Sequence, residues 1–258
     1  MVNLYRDKSY EGFLNYLEKQ GIKKMDIPKN EMEKAHKKYE NKEVSEQLRI
    51  ISEFGSRVMG YRGYKSENLD NKTGRTVEDY KVKIKKVKRE IRNIKLNSPR
   101  NDFESLILEN GEEYLDRAEK CIDEIYKFGF IELLTRSMHR AEICLGDTDF
   151  SNLRKYKKIE VWSLQHCSYN MVEMDAFYLL NKFKKKGALL DYNKLCNNFC
   201  KFQQLDIKSE KYILALLSFP YEFIRCFEKY KGNRVECNLE SYNKMLLKAI
   251  EKDGKSLI

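Results

Sequence analysis

The segment ICLGDTDFSNLRK, from Ile143 to Lys155, joins an apolar start to a loop of small polar residues. Asp147 and Asn152 stand five positions apart in that loop. The next residues, LRKYKKIEVWS from Leu153 to Ser163, contain two short extended pieces around a lysine-rich turn, which predicts a β-hairpin directly after the loop. Elsewhere the pattern is helical, so the hairpin is predicted to be an exception.

Apolar residues recur at helical spacing through most of the chain, which contains only three prolines. A stripe from Val44 to Val58 predicts one helix, and a stripe from Val77 to Ile94 predicts another that ends before Pro99. The Gly-rich segment 60–75 between them is predicted to be a loop. Further helices are predicted near residues 111–128, 171–185, 189–202, 209–230 with a break at Pro220, and 239–252. The predicted class is mainly α, with one small β-hairpin.

Composition favours anionic partners and argues against a membrane or metal protein. Lys and Arg total 50 against 40 acidic residues, a formal charge of +10. No apolar run approaches about 18 residues and the first 21 residues lack the apolar stretch of a signal peptide, so we expect a cytoplasmic protein without membrane insertion. The seven cysteines form no CxxC pair. Even Cys196 and Cys200, four apart, are expected to be buried thiols and not metal ligands.

The spacing of Asp147 and Asn152 is typical of a phosphoryl-transfer loop. In such a loop the Asp orients the attacking hydroxyl, and the Asn with a second Asp holds Mg²⁺. Kinase-like folds place that second Asp at the end of the following hairpin. Here the candidate positions are Ser163 and Gln165, and neither supplies a carboxylate.

From Glu46 to its C-terminus the chain resembles the bacterial spore-coat protein S family, in the aminoglycoside-phosphotransferase and choline-kinase group of kinase-like proteins. The matching motifs, in order, are RIISEFGSRVMGY (49–61), VEDYKVKIKKVKREI (77–91), NDFESLI (101–107, a Phe-containing loop in the family), ICLGDTDFSN (143–152) and ALLSFPYEFIRCFEKYKGN (215–233). Two histidines of the family pattern are replaced here by Gly55 and Leu145. Asp175 matches a family Asp for which we expect a mainly structural role.

The resemblance implies a two-part organisation. Residues 46–258 are expected to form a kinase-like helical C-lobe, and residues 1–45 a short helical N-terminal extension, read as helix, turn and helix, in place of a β-rich N-lobe. Residues 1–45 contain no G-x-G-x-x-G and no strand with a candidate ATP-binding Lys. Four apolar residues are expected to cover the exposed upper surface of the lobe or to recruit a partner: Phe13, Leu14, Leu17 and Ile22.

Three functions follow as hypotheses. The first is a non-catalytic kinase-like protein, or pseudokinase, of the spore coat or of sporulation. It would bind a protein partner such as a coat component or a related kinase-like chain, with no cofactor and no metal, and Asp147 and Asn152 would be vestigial. The second is a divergent phosphotransferase, acting on a small molecule or a protein, that needs a partner to complete a Mg-ATP site. The third is a basic nucleic-acid-binding protein.

Several side chains have both a functional and a simpler interpretation. Between Lys81 and Lys95 there are eight basic residues and one acid, Glu90, which form either an anion-binding ridge or a solvated helix face. The tyrosines are scattered and form no stacking platform for bases. His139 could be a displaced catalytic His, but a local hydrogen bond is the expected role. His166 lies near the expected metal position and could be a ligand, but without a neighbouring carboxylate it is not expected to hold a metal ion.

Overall fold

The computed structural model describes residues 11–25, 39–63, 69–232 and 239–258. Ten helices lie in these ranges: α1 (Glu11–Lys19), α2 (Asn41–Val58), α3 (Arg75–Asn97), α4 (Asp102–Lys127), α5 (Phe130–Arg140), α6 (Glu173–Lys185), α7 (Tyr192–Phe202), α8 (Ile207–Ser218), α9 (Tyr221–Gly232) and α10 (Leu239–Asp253). The strands are short: β1 (Ile22–Lys24), β2 (Asp70–Asn71), β3 (Ile143–Cys144), β4 (Leu153–Lys155), β5 (Ile159–Val161) and β6 (Ser168–Tyr169). The expected mainly α class is confirmed. No helix in the described ranges is both long and apolar enough to cross a membrane.

The long helices follow the apolar spacing of the sequence. In α3 all six positions of the predicted stripe, from Val77 to Ile94, are buried. The helix α4 begins at Asp102, earlier than predicted, because the Asn101 side chain accepts a hydrogen bond from the Glu104 backbone N–H and so caps it. Phe103 therefore lies in the first turn of α4 and is fully buried, which corrects the expectation that it belongs to a loop.

The predicted break at Pro220 is confirmed. Helix α8 ends at Ser218, and α9 begins at Tyr221, because proline lacks the N–H that a continuous helix would need. The Asp253 carboxylate, at the end of α10, accepts hydrogen bonds from the backbone N–H groups of Glu222 at 2.9 Å and Phe223 at 2.8 Å. It thus satisfies donors at the start of α9 and ties α10 to it.

The predicted hairpin is present, but it is part of a larger arrangement. Strands β4 and β5 pair antiparallel, with Leu153 opposite Val161. Strand β1 adds to β5 in parallel, with Ile22 opposite Ile159, and a second sheet has the order β2-β6-β3. The expectation of a single hairpin is therefore corrected to two three-stranded sheets. Strands of two or three residues are too short to show an alternating pattern.

The expected helix, turn and helix before residue 46 is corrected as well, because β1 follows α1. Residues 1–10 and 26–38 of that segment lie outside the described residues, as do residues 64–68 of the predicted loop. Helix α2 begins at Asn41 and continues without a break through positions 45 and 46, between which the expected extension and the expected C-lobe meet.

Helix α1 and strand β1 pack on α2 and the hairpin. Phe13, Leu17 and Ile22 are 0, 4 and 2% exposed, respectively, and Leu14 is partly buried against the same core. The Arg57 side chain of α2 donates a hydrogen bond to the Gln20 carbonyl at 2.9 Å. Phe13, Leu17 and Ile22 therefore cover the hairpin and α2 and are not available on the surface, whereas Leu14 is only partly covered.

Candidate functional site

The loop that contains Asp147 follows β3 and bends at Gly146. Gly146 has a φ of +79°, and a Cβ at this position would lie 2.6 Å from the His166 carbonyl oxygen. A side chain would therefore meet both backbone strain and a steric clash. The close approach sets the loop directly against the turn that follows the hairpin.

Asp175, in the first turn of α6, fixes the backbone of this loop. Its carboxylate accepts hydrogen bonds from the Leu145 and Gly146 N–H groups, each at 2.8 Å. Burial raises the pKa of Asp175 to about 7, the nearby Asp147 adds to the rise, and the two N–H donors partly oppose it. Asp175 thus has the structural role expected for it.

Asn152 connects the loop to the end of the hairpin. Its side chain is 0% exposed. Its Nδ2 donates to the Asp147 carbonyl at 2.7 Å and to the Ser163 carbonyl at 3.1 Å, and its Oδ1 accepts from the Ser163 N–H at 2.7 Å. The structure brings Asn152 and Asp147 together, but through the Asp147 backbone.

Gln47 of α2 braces the same loop from the other side, a contact that the sequence analysis did not predict. Its Nε2 donates to the Thr148 and Leu153 carbonyls, each at 2.9 Å. Gln47 is buried and lies beside Leu48 of the apolar stripe. A polar residue next to a buried stripe is the only sequence signal for this role.

The other loop residues pair locally. The Asp149 carboxylate makes an ion pair with Lys182 of α6. Phe150 stacks on Tyr39 with ring centroids 4.8 Å apart. The Asp147 side chain is only partly buried and has at least one polar partner. Asp147 is thus a partly buried loop carboxylate, as Asp149 is.

The residues at the end of the hairpin do not fit a magnesium ion. Mg²⁺ is held by oxygen ligands, usually one or two carboxylates together with phosphate oxygens. The Ser163 hydroxyl accepts a hydrogen bond from the Gln165 N–H at 3.2 Å, Gln165 itself is exposed, and the Asn152 oxygen is bonded to Ser163. Within the described residues, no group of three or more His, Cys, Asp or Glu side chains could hold a metal ion.

The histidines and cysteines do not join this site. His139 lies exposed in the last turn of α5, and His166 is exposed in the turn beside Gly146. The six cysteines in the described ranges, which include Cys196 and Cys200, are all buried as free thiols. Burial raises the pKa of Cys200 to about 12, so this thiol is not a ready nucleophile. Cys237 lies outside those ranges.

A buried ion-pair network lies next to the loop. Its pairing could not be predicted from the sequence. Arg136 of α5 contacts Glu142, just before β3, at 3.0 Å and Glu173 of α6 at 2.8 Å. Burial raises the pKa of Glu142, and the Arg136 guanidinium partly offsets this rise. Removal of Arg136 would leave the buried Glu173 carboxylate without its counter-ion and Glu142 with only Arg140 at 3.9 Å, so the network fixes β3 relative to α6.

The basic face of α3 is largely neutralised within the protein. Lys83 pairs with Glu228 of α9, Lys88 with Glu119 of α4, and Lys95 with Glu112 of α4. Ammonium groups that already have carboxylate partners release less free energy on binding phosphates. This arrangement favours the solvated helix face over the anion-binding ridge.

Comparison with known proteins supports a kinase-like fold but does not support the resemblance to the spore-coat protein S family. No family model and no curated protein matches this chain. Among solved structures, an aminoglycoside phosphotransferase from Alicyclobacillus acidocaldarius is similar, with a TM-score of 0.61 and 14% sequence identity, over 81% of this chain and 62% of that one. The chain therefore has a kinase-like fold of the aminoglycoside-phosphotransferase type and spans less than two thirds of that protein. Nothing in these comparisons points to the spore-coat protein S family.

Proposed function

We propose that this protein is a non-catalytic kinase-like protein that acts by binding other proteins. The observation that carries the proposal is the bonding of Asn152 to both backbone groups of Ser163. In a phosphotransferase of this fold the Asn side chain would share a metal ion with a carboxylate at the end of the hairpin. Here Ser163 and Gln165 stand at that end, and the Asn152 side chain is used to close the loop.

The expected loss of rate is large. Removal of one preorganised electrostatic contact to a transition state costs about 2.7–4 kcal/mol, or ~10² to 10³ in rate. The hairpin end lacks the metal carboxylate, and the first 45 residues contain no glycine-rich phosphate loop. Strand β1 does carry two lysines, Lys23 and Lys24, which corrects the expectation of no lysine-bearing strand, but both are exposed. Such losses do not simply add, but they act on the same step.

The protein-binding part of the proposal follows from the preserved fold. Loop, hairpin and helices are packed around a site that lacks a metal carboxylate, so the outer surfaces of the fold would serve for partner binding. The apolar residues of α1 are buried, which directs partner binding to other faces. The resemblance to spore-coat protein S proteins suggests the spore coat as its location. Partners would then be coat components or a related kinase-like chain.

A second candidate is a divergent phosphotransferase whose Mg-ATP site is completed by a partner. The observation in its favour is that Asp175 and Gln47 hold the loop backbone while Asp147 is only partly buried. In this case Asp147 would orient the substrate hydroxyl. The partner would supply the missing carboxylate and the nucleotide-gripping lobe.

ADP formation from Mg-ATP, measured with and without a related kinase-like chain, distinguishes the two candidates, because transfer to a substrate releases ADP and no free phosphate. We expect the purified protein, with aminoglycoside, choline or protein substrates, to form ADP no faster than its Asp147→Ala variant in either case. The matched control is Asp79→Ala, which removes an exposed carboxylate from α3. A turnover that disappears in Asp147→Ala and persists in Asp79→Ala would contradict the non-catalytic proposal.

A further inference from the structure

Helices α9 and α10 enclose a basic groove on the outside of the fold, with a cavity volume of about 560 Å³. Five cations and two carboxylates line it, which gives a formal net charge of +3. The charged lining residues are Arg225, Lys229, Lys244, Lys248, Lys252, Glu222 and Glu240. We call this feature the α9/α10 groove.

The cations form a row along each wall of the groove. Lys244, Lys248 and Lys252 follow one another at four-residue intervals on α10, which places successive Cα atoms about 6 Å apart along the helix axis. Arg225 and Lys229 have the same interval on α9. The bond between Asp253 and the start of α9 keeps the two helices antiparallel, so the two rows face a common channel.

Three of these lysines are not neutralised within the described part of the chain. Glu222 is engaged by Lys185 at 2.8 Å and by Arg225 at 3.6 Å, and Glu240 is engaged by Lys244 at 2.7 Å. Lys229, Lys248 and Lys252 make no ion pair with any residue that the structure describes, and all three are exposed. On the α3 face five of the eight basic residues have acidic partners, and Lys85, Lys86 and Arg92 have none among the described residues, so these three serve below as a control.

The lining favours a peptide over a nucleic acid. Sequence-independent binding of single strands relies on aromatic side chains on which bases stack, and none of the groove-lining residues is aromatic. Cys226, Met245 and Ala249 provide apolar contacts between the charged rows. In an extended peptide, alternate side chains on one face are about 6.6–6.8 Å apart, close to the spacing of the α10 lysines.

We infer that the α9/α10 groove binds an extended acidic segment of a partner protein, in which Asp or Glu recurs at every second position. The carboxylates would contact Lys229, Lys248 and Lys252, and the intervening side chains would lie over Met245 and Ala249. The inference rests on the proposed function in taking a protein as the partner, and it does not depend on the absence of phosphotransfer.

Fluorescence anisotropy with a labelled ten-residue peptide of alternating Glu and Ser tests this inference at low salt. The test variant Lys229→Gln/Lys248→Gln/Lys252→Gln removes three charges from the groove. The matched control Lys85→Gln/Lys86→Gln/Arg92→Gln removes the same charge from exposed α3 positions that have no ion-pair partner among the described residues. We expect the groove variant to bind roughly tenfold more weakly and the control to change by less than about twofold.

Three results would overturn the inference. One is an absence of peptide binding by the unmodified protein up to about 1 mM, and another is an equal loss in both variants, which indicates a general attraction to positive charge. The third is tighter binding of an oligothymidylate of equal charge that is lost in the groove variant.

Thermal unfolding verifies that each variant is folded, and Lys248→Gln alone replaces the triple variant if the triple variant is not folded. ATP turnover in the assay described above would contradict the non-catalytic proposal and leave this result unaffected.

Discussion

Asn152 and Ser163 bond reciprocally across the base of the loop, with the Ser163 N–H donating to Asn152 Oδ1 at 2.7 Å and Asn152 Nδ2 donating to the Ser163 carbonyl at 3.1 Å. The Asn that matches a metal ligand in phosphoryl transfer is therefore an internal brace. Its amide satisfies backbone groups of two segments that are eleven positions apart. Removal of the Asn152 side chain should therefore change the stability of the protein and not a catalytic rate.

Asn152→Ala is expected to lower the free energy of unfolding by about 2–4 kcal/mol. The variant leaves the Asp147 carbonyl and both Ser163 backbone groups without these partners in a partly buried environment. Urea denaturation measures the change. The control Asn193→Ala, at an exposed position of α7, should change stability by no more than about 0.5 kcal/mol. Equal effects of the two substitutions would refute the brace.

Gly146→Ala is expected to destabilise the protein by about 3–5 kcal/mol, because positive φ and the 2.6 Å approach to the His166 carbonyl both oppose a side chain. Gly187→Ala separates the two causes. Gly187 has a φ of +71°, but a Cβ there would meet nothing within 4 Å, so only the conformational cost of about 1–2 kcal/mol applies. If both variants lose the same stability, the close approach is not real.

Asp175→Asn is expected to lower stability by about 1–3 kcal/mol, because the introduced NH₂ group cannot accept a hydrogen bond from the loop N–H that it faces. The effect should depend on pH. Since burial raises the pKa of Asp175 from 3.8 to about 7, the folded state binds this proton more tightly than the unfolded state. The contribution of Asp175 is thus fully present below about pH 4 and declines as the pH rises through 7.

The stability difference between the wild type and Asp175→Asn should therefore shrink from pH 4 to pH 8. Unfolding in denaturant at several pH values measures it, and effects of other titrating groups cancel in the difference. A difference that increases with pH would mean that the carboxylate is ionised more easily in the folded state, contrary to its buried position.

Phe13→Ala is expected to cost about 3–5 kcal/mol, the range for loss of a large buried aromatic side chain. Phe13 is 0% exposed and contacts Tyr61, with ring centroids 4.8 Å apart. Leu189→Ala serves as the control because Leu189 is 94% exposed. A loss below about 1 kcal/mol for Phe13→Ala would show that α1 does not contribute to the core.

The apolar spacing of the sequence was sufficient for most of the helices, although α5 was not predicted, and it was insufficient for the sheets. The α3 stripe of Val77 to Ile94 repeats over many turns, so burial of one face is visible locally. Strand β1 has three residues and pairs with β5 far along the chain, and no local pattern encodes that pairing. The early start of α4 was missed because the capping role of Asn101 was not recognised.

The candidate loop was predicted for a different reason, the spacing of Asp147 and Asn152. That spacing identified the two residues but not their hydrogen-bond partners. Those partners depend on which residues the fold brings next to the loop. Gln47 reaches the loop from about a hundred positions away, and Arg136 of α5 joins Glu142, just before β3, to Glu173 of α6. Contacts of this kind follow from tertiary packing and leave no local pattern in the sequence.

Thermal unfolding with and without Mg-ATP tests the central claim most directly, since a ligand that binds only the folded state must raise the midpoint. The account predicts a midpoint that changes by less than about 1 °C in millimolar Mg-ATP. Saturation at a hundred times the dissociation constant would add about 2.7 kcal/mol, which corresponds to roughly 5–10 °C for a chain of this size. A rise of that order would contradict the account.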